Sequence, residues 1–89
     1  MRGVLLKAGS LEYLVNVEYI ARESGAYHEG GQYDWEGTFI PELPITLGAA
    51  AYVLQMEDGR RGYVNVVQRR QLEEYRTLYR FEGHAGVNP

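Results

Sequence analysis

The chain has 89 residues, a formal charge of −3 and no cysteine, which fits one domain over residues 1–89 and excludes disulfides and thiolate metal sites. Hydrophobic and charged shares of 45% and 24% are near globular averages, so wholesale disorder is excluded and a deep core with a roomy enzyme cleft is not expected. The lack of cysteine suits a reducing compartment, and a cytoplasmic location is the expectation.

Met1-Arg2-Gly3-Val4-Leu5-Leu6-Lys7 begins with an apolar run that Lys7 ends, too short for a signal peptide or a membrane span. Gly3 to Ala8 reads as a first strand, and Gly9-Ser10 as a two-residue turn. Leu11, Tyr13, Val15, Val17, Tyr19 and Ala21 then share one parity, opposite Glu12, Asn16, Glu18 and Arg22. A period of two is the mark of a half-buried strand. Leu14 and Ile20 interrupt the polar parity, which calls for a neighbouring element or a second subunit over part of that face.

Glu23 to Gln32 holds Ser24-Gly25 and Gly30-Gly31 without apolar periodicity and reads as an exposed loop. Tyr33, Trp35, Gly37 and Phe39 alternate with Asp34, Glu36 and Thr38 as a third strand. Pro41-Glu42-Leu43-Pro44 cannot continue a central strand, because proline has no amide donor, and a crossing loop through Gly48 follows.

Ala50 to Met56 and Gly62 to Gln68 form the clearest pair. Tyr52, Leu54 and Met56 match Gly62, Val64 and Val66 on one face only if opposed residue numbers sum to an even value. That selects the odd loop Glu57-Asp58-Gly59, closed by Met56 and Arg60, with Gly59 in the left-handed conformation. Arg60 and Arg61 are left without a structural duty, so a binding role for this hairpin would fall to them.

Arg69 to Glu74 is polar and reads as a crossing to the last element. Leu72, Tyr75, Leu78 and Tyr79 fit a helical stripe, while Tyr75, Thr77, Tyr79 and Phe81 alternate as a strand would. Aromatic and threonine content favours the strand. The Gly83–Pro89 tail is expected to be loose. The whole reads as all-β, a small antiparallel barrel or strongly twisted sandwich of about six strands.

No motif carries recognisable chemistry. His28 and His84 are too few, without paired spacing, for a metal site. Glu23, Glu29, Asp34 and Glu36 near His28 could serve acid–base work, but such carboxylates occur in any polar loop. There is no nucleophile elbow and no Walker loop, so no cofactor is expected. Arg76-Thr77-Leu78-Tyr79-Arg80 is similar in spacing to the Arg-x-x-x-Arg entry of the PilZ family, a six-stranded barrel. In that family the motif precedes the barrel and an Asp/Asn-x-Ser-x-x-Gly motif follows. Here it sits near the C-terminus with no such follower, and nucleotide binding does not transfer.

Charge is uneven along the chain: residues 1–59 carry three Lys/Arg and nine Asp/Glu, residues 60–89 six Arg and three Glu. Arg60, Arg61, Arg69, Arg70, Arg76 and Arg80, with Tyr63, Tyr75, Tyr79 and Phe81, combine guanidinium groups and rings as single-strand nucleic-acid binders do. The negative net charge weighs against that use. Tyr27, Tyr33 and Trp35 flank the glycine-rich loop and are candidate interface anchors, with core packing the competing fate of Trp35. The expectation is a non-enzymatic module acting by protein contacts, self-association included. Single-stranded nucleic-acid or nucleotide binding through residues 60–81 and an enzyme centred on His28 are the alternatives.

Overall fold

Alternation of apolar and polar residues along six strands closes the chain into a barrel. The computed structural model describes the backbone of residues 1–28, 32–74 and 76–87, and the side chains of residues 1–23, 34–74 and 76–83. The strands are β1 (Arg2–Lys7), β2 (Tyr13–His28), β3 (Gln32–Pro41), β4 (Ala51–Gln55), β5 (Arg61–Glu73) and β6 (Arg76–Val87). They are ordered β1-β2-β3-β6-β5-β4, every pair antiparallel, and β4 returns to β1. Closure satisfies both edges of every strand in the barrel wall, which a two-layer sandwich of this size could not do.

Leu5, Val15, Val17, Tyr19, Trp35, Phe39, Tyr52, Leu54, Val64, Tyr79 and Phe81 point inward and form one core with Leu47. Trp35 meets Phe81 edge-on at 5.2 Å, and Phe39 stacks on Tyr79 at 5.3 Å. Room for the indole comes from Gly62 and Gly83, where a Cβ would overlap the Trp35 ring. The buried tyrosines keep their hydroxyls bonded at the barrel ends, as burial of a polar tip requires. The Glu57 amide donates to the Tyr19 hydroxyl (3.1 Å), and the Leu47 amide to the Tyr79 hydroxyl (3.0 Å). The Tyr52 hydroxyl donates to the Gly48 carbonyl (3.1 Å), and burial pushes its pKa up. Three core side chains thus tie down the β4–β5 turn and the long β3–β4 connection.

The β4–β5 hairpin follows the parity argument. Leu54 pairs with Gly62 and Gln55 with Arg61, while the Met56 amide donates to Arg60 O (2.7 Å) and Gly59 N–H to Met56 O (3.0 Å). Gly59 sits at φ 90°, the conformation that the extra residue of this loop demands.

Several local expectations are corrected. The β1–β2 turn is not a two-residue Gly9-Ser10 turn. Lys7 N–H donates to Glu12 O and Leu11 N–H to Lys7 O, enclosing a four-residue loop, Ala8 to Leu11, with Leu11 at φ 58°. A bulge opposite Leu5/Leu6, where Val15 and Tyr13 are the partners, switches the parity of β2. It turns Leu14 toward the core and leaves Tyr13 exposed, so Leu14 needs no outside cover. Glu23 to His28 and Gln32 are strand and not loop: β2 runs to His28 and β3 starts at Gln32, because the barrel pairs the two backbones past the apolar pattern, while residues 29–31 lie outside the described residues. Pro41 closes β3 opposite Val17, at a strand terminus where a missing donor is tolerated.

The last third differs most. Arg69 to Glu74 is not a crossing segment, since β5 continues to Glu73. The chain around Leu78 is strand, with Tyr79 and Phe81 inward and Leu78 and Arg80 outward. The tail pairs through Val87, with Tyr63 opposite His84 and Arg61 opposite Val87. β4 leaves β5 at Asn65 and β3 leaves β6 at Tyr79, so residues 67–73 and 76–78 continue as a two-stranded ribbon, exposed throughout 67–74.

Candidate functional site

Outward residues of β2, β3, β6 and β5 fall in three cross-strand rows fixed by the register. Ile20 pairs with Thr38, Thr38 with Arg80, and Arg80 with Gln68. On one side lie Arg22, Glu36, Glu82 and Asn65. On the other, Glu18 pairs with Ile40 and Leu78 with Arg70.

Between these walls runs a groove of about 430 Å³ lined by Ile20, Arg22, Glu36, Gly37, Thr38 and Arg80. Its floor is β3, whose outward side chains Glu36, Thr38 and Ile40 are half-buried, while Ile20 and Arg22 on β2 and Arg80 on β6 stand clear. Ile20 is 73% exposed, the most exposed of the large apolar side chains among the described residues. Nothing inside the barrel competes for it, since its neighbours Tyr19 and Ala21 face the core. A lone exposed isoleucine needs no explanation, but one that forms the wall of a groove beside two arginines makes an amphipathic surface.

The groove's charges are of two kinds. Arg22 donates through Nε (3.1 Å) and Nη2 (2.8 Å) to Glu36 Oε1, which ties β2 to β3. Among the described residues Arg80 has no carboxylate within ion-pair distance, and neither has Arg70. A second groove, of about 310 Å³, lies over β1 and is lined by Arg2, Val4, Asn16, Glu42, Gln55 and Glu57 among others. There Arg2 already faces Glu18 and Glu42, each at 3.9 Å.

Of the residues singled out in the sequence, Arg80 lines the groove. Arg76 lies at the ribbon tip, 3.2 Å from Glu73. Trp35 is 8% exposed and belongs to the core. Arg60 and Arg61 do have local duties. The Arg60 Nε donates to Asp58 Oδ2 (2.7 Å) and its amide to Asp58 Oδ1 (3.0 Å), while Arg61 Nε donates to Gln55 Oε1 (2.9 Å). That Arg60 amide, with help from the Arg60 guanidinium, holds the Asp58 carboxyl below the usual carboxylate range. The side chains of Tyr27, Tyr33, His28, Glu29, Tyr75 and His84 lie outside the described residues.

The six arginines do not gather on one surface. Residues 61–70 of β5, at about 3.3 Å each, place Arg61 on the order of 30 Å from Arg70 along the strand. The exposed rings Tyr13 and Tyr63 are elsewhere again, paired through Leu6 and Val53 across β2, β1, β4 and β5. Tyr79 and Phe81, alternating with Arg80, are buried.

Ile20 could be found in the sequence by its break of the β2 pattern, and Arg80 by its strand parity. Arg22, Glu36 and Thr38 meet through the β2–β3 register, which the loop reading of residues 23–32 left unset, and Arg70 joins them only because β6 lies between β3 and β5. Among the described residues no three His, Asp or Glu side chains cluster as metal ligands would, and no helix is long and apolar enough to cross a membrane. The chain matches no family model, and neither a curated protein nor a solved structure is significantly similar to it.

Proposed function

We propose that this protein is a non-enzymatic binding module whose partner is another protein, bound in the outward groove over β3. The observation that carries the reading is Ile20, apolar and 73% exposed, in the wall of an open groove that also holds Arg80, which has no ion-pair partner among the described residues. Arginine is enriched at the energetically dominant positions of interfaces, and the buried core around such positions is more apolar than the rest of the surface. The floor strand β3 is paired on both sides in the closed barrel, so the backbone under the groove is in place before a partner binds. Nucleic-acid binding gains nothing from the arrangement, because it would need the arginines and exposed rings together.

The test compares proteins retained from a cell extract by the wild type, by Ile20→Asp and by Tyr63→Asp, the last placed toward the other end of β5, outside the groove lining. Ile20→Asp is expected to lose partners that the wild type and Tyr63→Asp retain, with an unchanged melting temperature. Identical retention by all three would overturn the reading.

A further inference from the structure

We infer that the groove and the outward face of the ribbon beside it receive an extended acidic segment bearing aliphatic side chains, with its carboxylates on Arg80 in the groove and Arg70 on the ribbon. The inference rests on the binding reading given above and names the chemistry of the partner. Gln68 pairs with Arg80 and Arg70 with Leu78, so the two arginines are diagonal neighbours on one face, about 7–8 Å apart between Cα atoms. In an extended chain, side chains on one side recur every second residue, about 6.6–6.8 Å apart. Alternate carboxylates of such a segment therefore meet both guanidinium groups at once.

Neither arginine has to give up a carboxylate of its own to do so, whereas Arg22 is committed to Glu36 and Arg2 to Glu18 and Glu42. A guanidinium with no internal partner offers charge-assisted hydrogen bonds without a competing bond to break. Apolar surface accompanies the charge: Ile20 stands in the row of Arg80, and Ile40 and Leu78 are half-buried in the row of Arg70. At the other margin Glu82 lies beside Glu36, whose charge Arg22 already meets, so that row holds one carboxylate in excess and no free guanidinium. The segment is thereby directed with its acidic part toward the ribbon. No aromatic ring of the described residues is exposed on this face, so the stacking platform that a nucleic acid would use is missing.

The probes are a fluorescein-labelled Glu-Ser-Glu-Ser-Leu-Ser-Leu peptide (Glu-Leu), whose carboxylates and aliphatic side chains fall on one side of the extended chain, its counterpart with Lys for Glu (Lys-Leu), and a labelled oligo-dT, each titrated with the full chain and followed by anisotropy. The Glu-Leu peptide is expected to bind, the Lys-Leu peptide not. The double variant Arg70→Glu/Arg80→Glu should weaken Glu-Leu binding about tenfold or more. Arg60→Glu/Arg61→Glu, with the same change of charge at the other end of the barrel, should leave it unchanged. Binding that is indifferent to Arg70→Glu/Arg80→Glu, or equal for the two peptides, overturns the inference. So does tighter binding of oligo-dT through the same arginines, which would make nucleic acid the partner. If Ile20→Asp loses the proteins retained from extract while Arg70→Glu/Arg80→Glu keeps them, the acidic partner is refuted and the groove stands. If both keep them, both readings fall.

Discussion

At Gly62 and Gly83 the absent side chains matter more than any side chain nearby, because the Trp35 ring occupies the space that each Cβ would fill. Overpacking of this kind costs about 1–3 kcal/mol. Gly62→Ala is expected to lower stability by that amount in a urea titration, while Gly48→Ala, with nothing within 4 Å of the added atom, stays near wild type. The Tyr79 hydroxyl is a second case: it accepts from the buried Leu47 amide, so Tyr79→Phe strands that donor and should cost about 1–2 kcal/mol in the same measurement. The inward place of Trp35 was legible from parity and size. Its glycine cradle was not, since Gly62 and Gly83 meet it only through strands that lie far away in the sequence.

Strand β5 shows both what patterning encodes and where it stops. Its first half, Arg61 to Val66, is paired on both sides, and its hairpin with β4 was legible in full, because even parity and Gly59 leave one loop length. Asp58 reinforces that turn. Its depressed pKa means that its contribution is complete above the unfolded-state value and is lost as pH falls through the lower folded-state value. Thermal melts in acid should therefore show the wild type losing its advantage over Asp58→Asn as pH drops, and equal slopes for the two would contradict this role. Beyond Val66 the polar run Gln68-Arg69-Arg70-Gln71 carries no inward residue for a pattern to reveal, yet the backbone continues as strand because β6 supplies the hydrogen bonds. A two-stranded ribbon is marginal on its own. Amide hydrogen exchange is expected to be fast over residues 67–73 and 76–78 and slow over residues 61–66, and uniform protection along β5 would contradict the ribbon.

For the molecule as a whole, the all-β class and the strand number follow from period-two runs between turn signals, whereas closure and strand order do not. The sequence distributes its charge in two blocks, but the order β2-β3-β6-β5 sets the acidic and basic blocks side by side. Glu36 comes to lie in one row with Arg22, and Glu18 in one row with Arg70, so the linear asymmetry is broken up in space, with Arg80 in the row between them. This is why Arg80 was accessible to sequence reasoning as one of six arginines, but not as the one that stands opposite Ile20. It is also why Arg60 and Arg61, apparently idle in the sequence, are occupied in the fold by Asp58 and Gln55.

The groove over β3 is the central claim, and contact at its floor tests it most directly. A photoreactive phenylalanine analogue replacing Thr38, irradiated in cell extract, is compared with the same replacement at Asn16, which lines the second groove over β1. The expected result is a discrete crosslinked protein from position 38 that is absent from position 16 and abolished by Ile20→Asp. The same adducts from both positions, or adducts from position 38 that survive Ile20→Asp, would contradict it.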